Sequence, residues 1–261
     1  MKIYYRKSLM DKEELEAAQK HFECVSLLTD IQKDDLVINR YSLFPFALDQ
    51  EREVLNIGAK PLNSYEQHCY VADLGNYARD LGSLTPETWE GTYNLPDVGP
   101  FVLKGETNSR KNDWNRSMFA KDKAEAIAIE GRLLQDGLIG QQKIYVRKYV
   151  PLVTYFVGIG GVPITKEFRF FVCNGKIISS GYYWQNYAED LEKVPSPDEV
   201  PADFLRKVID IVSRRINFFV VDVAQTQAGD WIVIELNDGS QSGLSCNDPN
   251  ILYSNLKKVL S

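Results

Sequence analysis

Two apolar strands near the C-terminus carry acidic side chains that must face one another, and few folds tolerate that arrangement. The strands are Val220-Val221-Asp222-Val223-Ala224 and Trp231-Ile232-Val233-Ile234-Glu235-Leu236-Asn237. The polar segment 225–230 between them carries Gly229, which predicts a β-hairpin. With the turn centred on Ala228-Gly229, Asp222 falls directly opposite Glu235. Alternation then puts Glu235 and Asn237 on one face, and Ile232, Ile234 and Leu236 on the other. Carboxylates so paired sit ~5 Å apart at Cβ and repel. A divalent cation would compensate them. Magnesium, with manganese as the alternative, takes one or two carboxylates together with phosphate oxygens and water. Asp222, Glu235 and Asn237 are therefore the candidate metal ligands, although the same residues also fit strand ends paired with Lys or Arg. The small loop 238–243 that follows suits a substrate-facing role, with Ser242 as a candidate contact.

Composition narrows the chemistry. The 261 residues are 44% apolar, enough to bury a sizeable core, and the net charge of -6 argues against a general DNA coat or a polybasic membrane binder. Cys24, Cys69, Cys173 and Cys246 are scattered with no C-x-x-C pair, as expected of free thiols in a reducing cytoplasm. No apolar run approaches the ~18 residues of a membrane span, and the N-terminus lacks a signal-peptide core. The only histidines, His21 and His68, read as surface or packing residues, and there is no G-x-S-x-G motif. Histidine-dependent hydrolysis and histidine metal sites are thus disfavoured. Lys, Arg and carboxylates remain to do the work.

Along the chain, residues 2–5 and 35–39 read as strands flanking a helix over 11–22, with Asp11 as N-cap. A second helix over 44–57 ends at Gly58. This pattern predicts a small α/β lobe through residue 92. The turn-rich stretch 90–100 is the expected lobe boundary. Beyond it come a strand at 101–104, a polar loop at 105–115, a helix over 121–135 and a strand over 143–150. Strands 167–173 and 176–183 form a hairpin around Asn174-Gly175. A helix over 204–216, the acidic hairpin and a final helix over 249–259 complete the chain. Arg40 and Tyr41, just after the second strand, are candidate substrate contacts for an anionic or aromatic group. Asn63 and Ser64 are similar candidates.

The order Asp222 … Glu235-Leu236-Asn237, followed by a small-residue loop, resembles the magnesium motif of the ATP-grasp superfamily, in particular a compact bacterial and phage branch. Three further segments agree in order. Phe101-Val102-Leu103-Lys104, with the loop carrying Ser109, Arg110 and Lys111, is similar to the family's strand lysine and mobile phosphate loop. Ile144-Tyr145-Val146-Arg147-Lys148-Tyr149-Val150 resembles the strand and hinge that grip adenine, although Arg147 and Lys148 stand where many relatives carry a Glu. Glu167-Phe168-Arg169 resembles an acid-x-Arg strand.

The resemblance implies an α/β (α+β) ATP-grasp fold, with residues 1–92 as a preceding lobe and 93–261 as the nucleotide-binding and catalytic region. It also implies an ATP- and magnesium-dependent ligase joining a carboxylate to an amine or thiol through an acylphosphate. Lys104, Ser109, Lys111, Arg147, Lys148, Tyr149, Val150, Glu167 and Arg169 would contact the nucleotide. Arg169 and Lys104 would act in catalysis. The expected partner is a small molecule, amino acid or peptide. Oligomeric state is not readable.

Two alternatives remain open. The basic and aromatic stretch Arg110, Lys111, Trp114, Arg116, Phe119, Lys121 and Lys123 also suits ATP-dependent RNA end repair, because charge and stacking bind single strands. A nucleotide-binding regulator without turnover would carry the same site.

Overall fold

The computed structural model describes all residues 1–261. A parallel sheet opens the chain, in the order β2-β1-β3-β4. Its strands are β1 (Lys2–Tyr5), β2 (Glu23–Val25), β3 (Leu36–Arg40) and β4 (Lys60–Pro61). Parallel neighbours need crossovers, supplied here by α1 (Lys12–Gln19) and α2 (Ala47–Asn56). Asp11 caps α1 as expected, its carboxylate accepting the Glu13 N–H at 2.8 Å. Ser64 and Gln67 form a capping box on α3 (Tyr65–Ala72), and α4 (Leu74–Leu81) follows directly.

The second sheet, β5-β8-β6-β7, is antiparallel. It comprises β5 (Thr88–Glu90), β6 (Val98–Gly105), β7 (Phe119–Asp122) and β8 (Ile144–Lys148). The short α5 (Trp114–Ser117) and the longer α6 (Lys123–Leu133) belong to this lobe. Leu103, Ile144 and Val146 pack against Ala126, Ile129 and Leu133 of α6 in a separate core. The division expected after residue 92 falls just beyond β5, whose residues already pair with β8. A ribbon of β9 (Thr154–Val157) and β10 (Pro163–Thr165) leads into the third sheet.

That sheet is antiparallel in the order β12-β11-β13-β14. Its strands are β11 (Glu167–Cys173), β12 (Lys176–Tyr182), β13 (Phe218–Gln225) and β14 (Trp231–Asp238). Asn174 (φ 46°) and Gly175 (φ 74°) make the β11–β12 turn, the pair of positive φ values a two-residue hairpin requires. Period-two alternation gives each strand two apolar faces. Phe168, Phe170, Phe219 and Val221 pack on α4 and on α7 (Ala202–Val212). Phe171, Cys173, Phe218 and Val220 pack on the first lobe and on α8 (Pro249–Leu260). No helix is long and apolar enough to cross a membrane.

Two expectations change. Asp222 does pair with Glu235, but a β-bulge after Asp222 brings Val223 opposite Val233. The extra residue reverses alternation beyond it. Val233 and Leu236 therefore enter the core, while Ile232 and Ile234 line the same cleft as Glu235. The second change is that α3 and α4 belong by packing to the third sheet: Val71, Leu74, Tyr77 and Leu81 join its core. Their anchor is testable. Leu74→Ala should cost about 2–5 kcal/mol in urea unfolding, the usual range for a truncated core leucine. A loss below about 1 kcal/mol would show that α4 is not seated there.

Candidate functional site

The site occupies one end of a single face of the third sheet. On that face Phe171, Cys173, Phe218 and Val220 lie under the first lobe. Further along the same strands stand Arg169 and Glu167 on β11 and Asp222 on β13, with Arg169 registered opposite Asp222. Glu235 and Asn237 of β14 complete the row. One face of the sheet thus changes from hydrophobic core to ionisable cluster within a few residues.

Each opposed carboxylate has its own protein cation. Arg169 donates to Asp222 in a fork, Nε to Oδ1 at 2.9 Å and Nη2 to Oδ2 at 2.8 Å, with Asp222 fully buried. Lys104 of β6 forms an ion pair with Glu235 across the cleft. The premise that this pair needs a metal for compensation is therefore corrected: protein charges already balance it. Burial alone would raise the Glu235 pKa. Lys104, Lys111 and the Asn237 side chain outweigh it and hold the group at about 2.

No group of three His, Cys, Asp or Glu side chains is arranged to hold a metal. The available set is instead two carboxylates and an amide. Glu235 and Asn237 line one cavity together with Ser109, Lys111 and Arg169. Asp222 is fully buried, but each of its oxygens accepts one bond and a carboxylate has about four lone-pair sites. Such a set fits magnesium shared with phosphate oxygens and water, not an all-protein cage.

Behind Glu235 lies a narrow slot of about 120 Å³ between the second and third sheets. Val102, Lys104, Arg147 and the run Lys148-Tyr149-Val150 form one wall; Thr165, Ile232 and Ile234 form the other, and Ser109 and Lys111 stand at its mouth. Apolar walls with a few polar groups are the usual construction of a base-binding pocket. Arg147 is buried and ties the walls together, donating to the Ile234 carbonyl and, at 2.6 Å, to Thr85 Oγ1. Its Nε has no partner, and burial lowers its pKa. Lys111 Nζ donates to the Tyr183 hydroxyl at 2.6 Å. Burial disfavours its charge, but Tyr183, Glu167 and Glu235 raise its pKa overall.

Glu167 is buried, with Oε1 unpartnered and Oε2 accepting from Thr165 Oγ1 at 3.1 Å. Burial, with Asp222 and Glu235 adding repulsion, lifts it from 4.5 to about 7 against the pull of Lys111. Its sign is opposite to that of Glu235. The low pKa of Glu235 stabilises the fold above pH 4.5 and is lost as pH falls toward about 2. The raised pKa of Glu167 stabilises the fold below pH 4.5 and is lost as pH rises through about 7. Glu167→Gln removes the second effect. Its melting temperature relative to wild type should climb between pH 4.5 and about 7, then level off. A flat difference across that window would contradict the assignment.

The substrate candidates fare unequally. Ser242 lines the cavity beside Asn237, and its hydroxyl donates to the Asp238 carbonyl at 2.7 Å. Arg40 does not face the cavity: it is buried, and its donors go to Glu14, Tyr253 and three loop carbonyls. Tyr41 packs with Leu43 and Ala47 in a small core under Arg6. Asn63 is buried and exchanges hydrogen bonds with the Phe218 backbone. Arg40 and Asn63, which look free in sequence, are here covered by another lobe. The basic stretch after Lys104 is also partly neutralised, with Arg110 on Asp136 and Lys121 on Glu125.

Sequence reasoning passed over several groups at the site. Tyr183 and Trp184 border Lys111 and Arg169; the aromatic run Tyr182-Tyr183-Trp184 at a strand end was their signal. His68, expected at the surface or in packing, is buried and paired with Asp238 at the base of the loop. Phe44 lines the cavity and meets His68 edge to face.

The fold has counterparts in known proteins. The ATP-grasp domain of R2K clade family 3 matches residues 92–256. No curated protein sequence matches the chain. Among solved structures, a RimK domain ATP-grasp protein from Sphaerobacter thermophilus is similar over 98% of this chain and 99% of its own, with TM-score 0.59 and 14% identity. D-cycloserine synthetase DcsG gives TM-score 0.63 at 12% identity, covering 100% of this chain and 99% of its own. The ATP-grasp ligase PsnB, solved with a phosphomimetic precursor variant, Mg and ADP, gives 0.58 at 13%, covering 100% and 97%. At such identities the likeness is one of fold. The family match spans more than half of the chain. This chain belongs to the ATP-grasp superfamily, in its R2K clade.

Proposed function

We propose that this chain is an ATP- and magnesium-dependent ligase that activates a carboxylate as an acylphosphate and passes the acyl group to an amine or thiol. One observation carries the reading: Lys104, Lys111 and Arg169 converge on Glu235 and Asn237 at the mouth of an apolar slot. Neighbours of this fold include a synthetase of a small molecule and a macrocyclase bound with a precursor peptide. They support a small-molecule, amino-acid or peptide acceptor.

In this reading the slot holds the adenine, with backbone groups of Lys148, Tyr149 and Val150 along one edge. Lys104 and Lys111 hold phosphate oxygens as compact positive charges. Ser109 and its loop close over them. Magnesium, held by Glu235 and Asn237 with Asp222 behind, would neutralise charge on the oxygens that attack and leave. The acceptor carboxylate oxygen attacks the γ-phosphorus, and the bond to the bridging oxygen breaks to release ADP. A nucleophile then attacks the acyl carbon, phosphate leaves, and the nucleophile gives up a proton. The chain's own contribution is positioning and charge stabilisation. Arg169 spends its fork on Asp222 and one Nη1 hydrogen on Gly243; its remaining N–H donors and its permanent charge serve the transferring group.

Mass spectrometry of products from ATP, magnesium and a pooled amino-acid and peptide mixture tests the reading. New amide or thioester products with ADP are expected; ADP-free mixtures with unchanged acceptors would sink it. The double variant Asp222→Asn, Glu235→Gln should lose at least ~100-fold in magnesium-dependent turnover, and wild-type turnover would remove the metal assignment. Arg169→Ala should lower kcat by ~100-fold while ADP affinity changes far less. Equal losses in both would make Arg169 a binding residue.

A further inference from the structure

Arg40 sits in the first lobe, away from the slot, yet it is the most heavily bonded side chain near the site. Its Nη1 donates to the carbonyls of Gly239 (2.6 Å), Ser240 (3.1 Å) and Ser242 (3.0 Å). Its Nε and Nη2 reach Glu14 Oε1 at 2.9 and 2.5 Å. Tyr253 of α8 meets the same pair, accepting from Arg40 Nε at 3.2 Å and donating to Glu14 at 2.7 Å. Three carbonyls from four consecutive residues can point at one nitrogen only if the loop 239–242 is wound inward around it. The next carbonyl, Gly243, turns the other way and accepts from Arg169 Nη1 at 2.8 Å. Asp238 fixes the loop's start, its carboxylate taking the Ser240 N–H at 2.6 Å.

We infer that Arg40 is a positioning residue for the acceptor side of the site: from the first lobe it sets the conformation of loop 239–243, and so the wall that this loop presents beside Arg169. The inference rests on the ligase reading, because it takes the cavity beyond Glu235 as the acceptor's place. Gln241, Ser242 and Gly243 line that cavity together with Arg169 and Asn237. Gly243 and Ser245 line the groove that continues past Tyr183. Two arginines thus grip neighbouring carbonyls of one loop, Arg40 from below and Arg169 from the reacting side. A buried ion pair such as Glu14–Arg40 is by itself a weak stabiliser after desolvation. Lysine, a point charge with three donors, cannot serve three carbonyls and Glu14 together. Among the first lobe's contacts with this loop, the guanidinium is the one that takes several of its carbonyls at once.

The experiment compares Arg40→Lys with two controls that disturb the same buried cluster but leave the loop bonds in place, Glu14→Gln and Tyr253→Phe. Three readouts are taken on the full chain: Mg·ADP affinity by calorimetry, amide hydrogen exchange of the segment 238–246, and ADP release from Mg·ATP with the pooled amino-acid and peptide mixture. Arg40→Lys should speed exchange of that segment about tenfold or more and cut acceptor-dependent ADP release about tenfold, the scale of a lost charged hydrogen bond. Mg·ADP affinity should stay within about twofold, because the slot shares no partner with Arg40. The controls should lower the melting temperature while leaving exchange and turnover near wild type. Wild-type exchange or wild-type turnover in Arg40→Lys overturns the inference, as does an equal loss in the controls. A wild-type chain that releases no ADP with any pool counts against the ligase reading instead, and the exchange data then decide the role of Arg40.

Discussion

The buried fork between Arg169 and Asp222 is the contact on which the site depends. Asp222 has no solvent exposure, and a carboxylate there without a partner would carry a desolvation cost of several kcal/mol. The fork removes that cost and joins β11 to β13 on the face that also holds Glu235. It leaves one guanidinium nitrogen for the Gly243 carbonyl. The ring of Tyr183 lies 4.9 Å from the guanidinium carbon. Removing either partner would leave a buried charge alone, a loss of about 3–5 kcal/mol in comparable cases. The pair is therefore structural before it is chemical, and under the proposed ligase reading catalysis would use an arginine that the fold already holds in place.

The second sheet closes over this cluster with its own separate core, so the cleft is bounded by two units that meet through a small number of polar ties. Lys104 reaches Glu235, and Arg147 reaches the Ile234 carbonyl and Thr85. Both ties end at the β-bulge region of β14. The bulge is what turns Ile232 and Ile234 into the slot beside Glu235, giving one short strand segment an apolar wall and a carboxylate together. Phosphate oxygens entering here would meet lysines already placed by these contacts.

Glu167 shows how closely the charges are balanced. One oxygen has a hydroxyl partner and the other has none. Lys111 pulls it toward ionisation while burial and two neighbouring carboxylates oppose. Moving Lys111 away from Tyr183 toward a phosphate would change that balance directly.

The sequence by itself determined the acidic hairpin, the Asn174-Gly175 turn and the Glu167–Arg169 strand; the pairing of Asp222 with Glu235 also needs the bulge, because Val223 opposes Val233. Each is local: period-two alternation and turn residues encode it within some fifteen positions. The sequence also carried the resemblance to the ATP-grasp superfamily, which the family match over residues 92–256 bears out. Tertiary structure alone decided what those side chains touch. The bulge that redirects Ile232 and Ile234 has no glycine or proline to announce it. Arg40 reads as a free strand-end cation until the loop 239–242, some two hundred residues away, wraps around it. Asn63 is covered by packing between lobes and Tyr41 by a small core of the first lobe's own residues, and α3 and α4 join the third sheet instead of the first. Above all, the repulsion that made Asp222 and Glu235 conspicuous is answered by Arg169 and Lys104, brought in from other strands. Long-range pairing of this kind depends on which lobes meet, and no periodicity in a single segment records it.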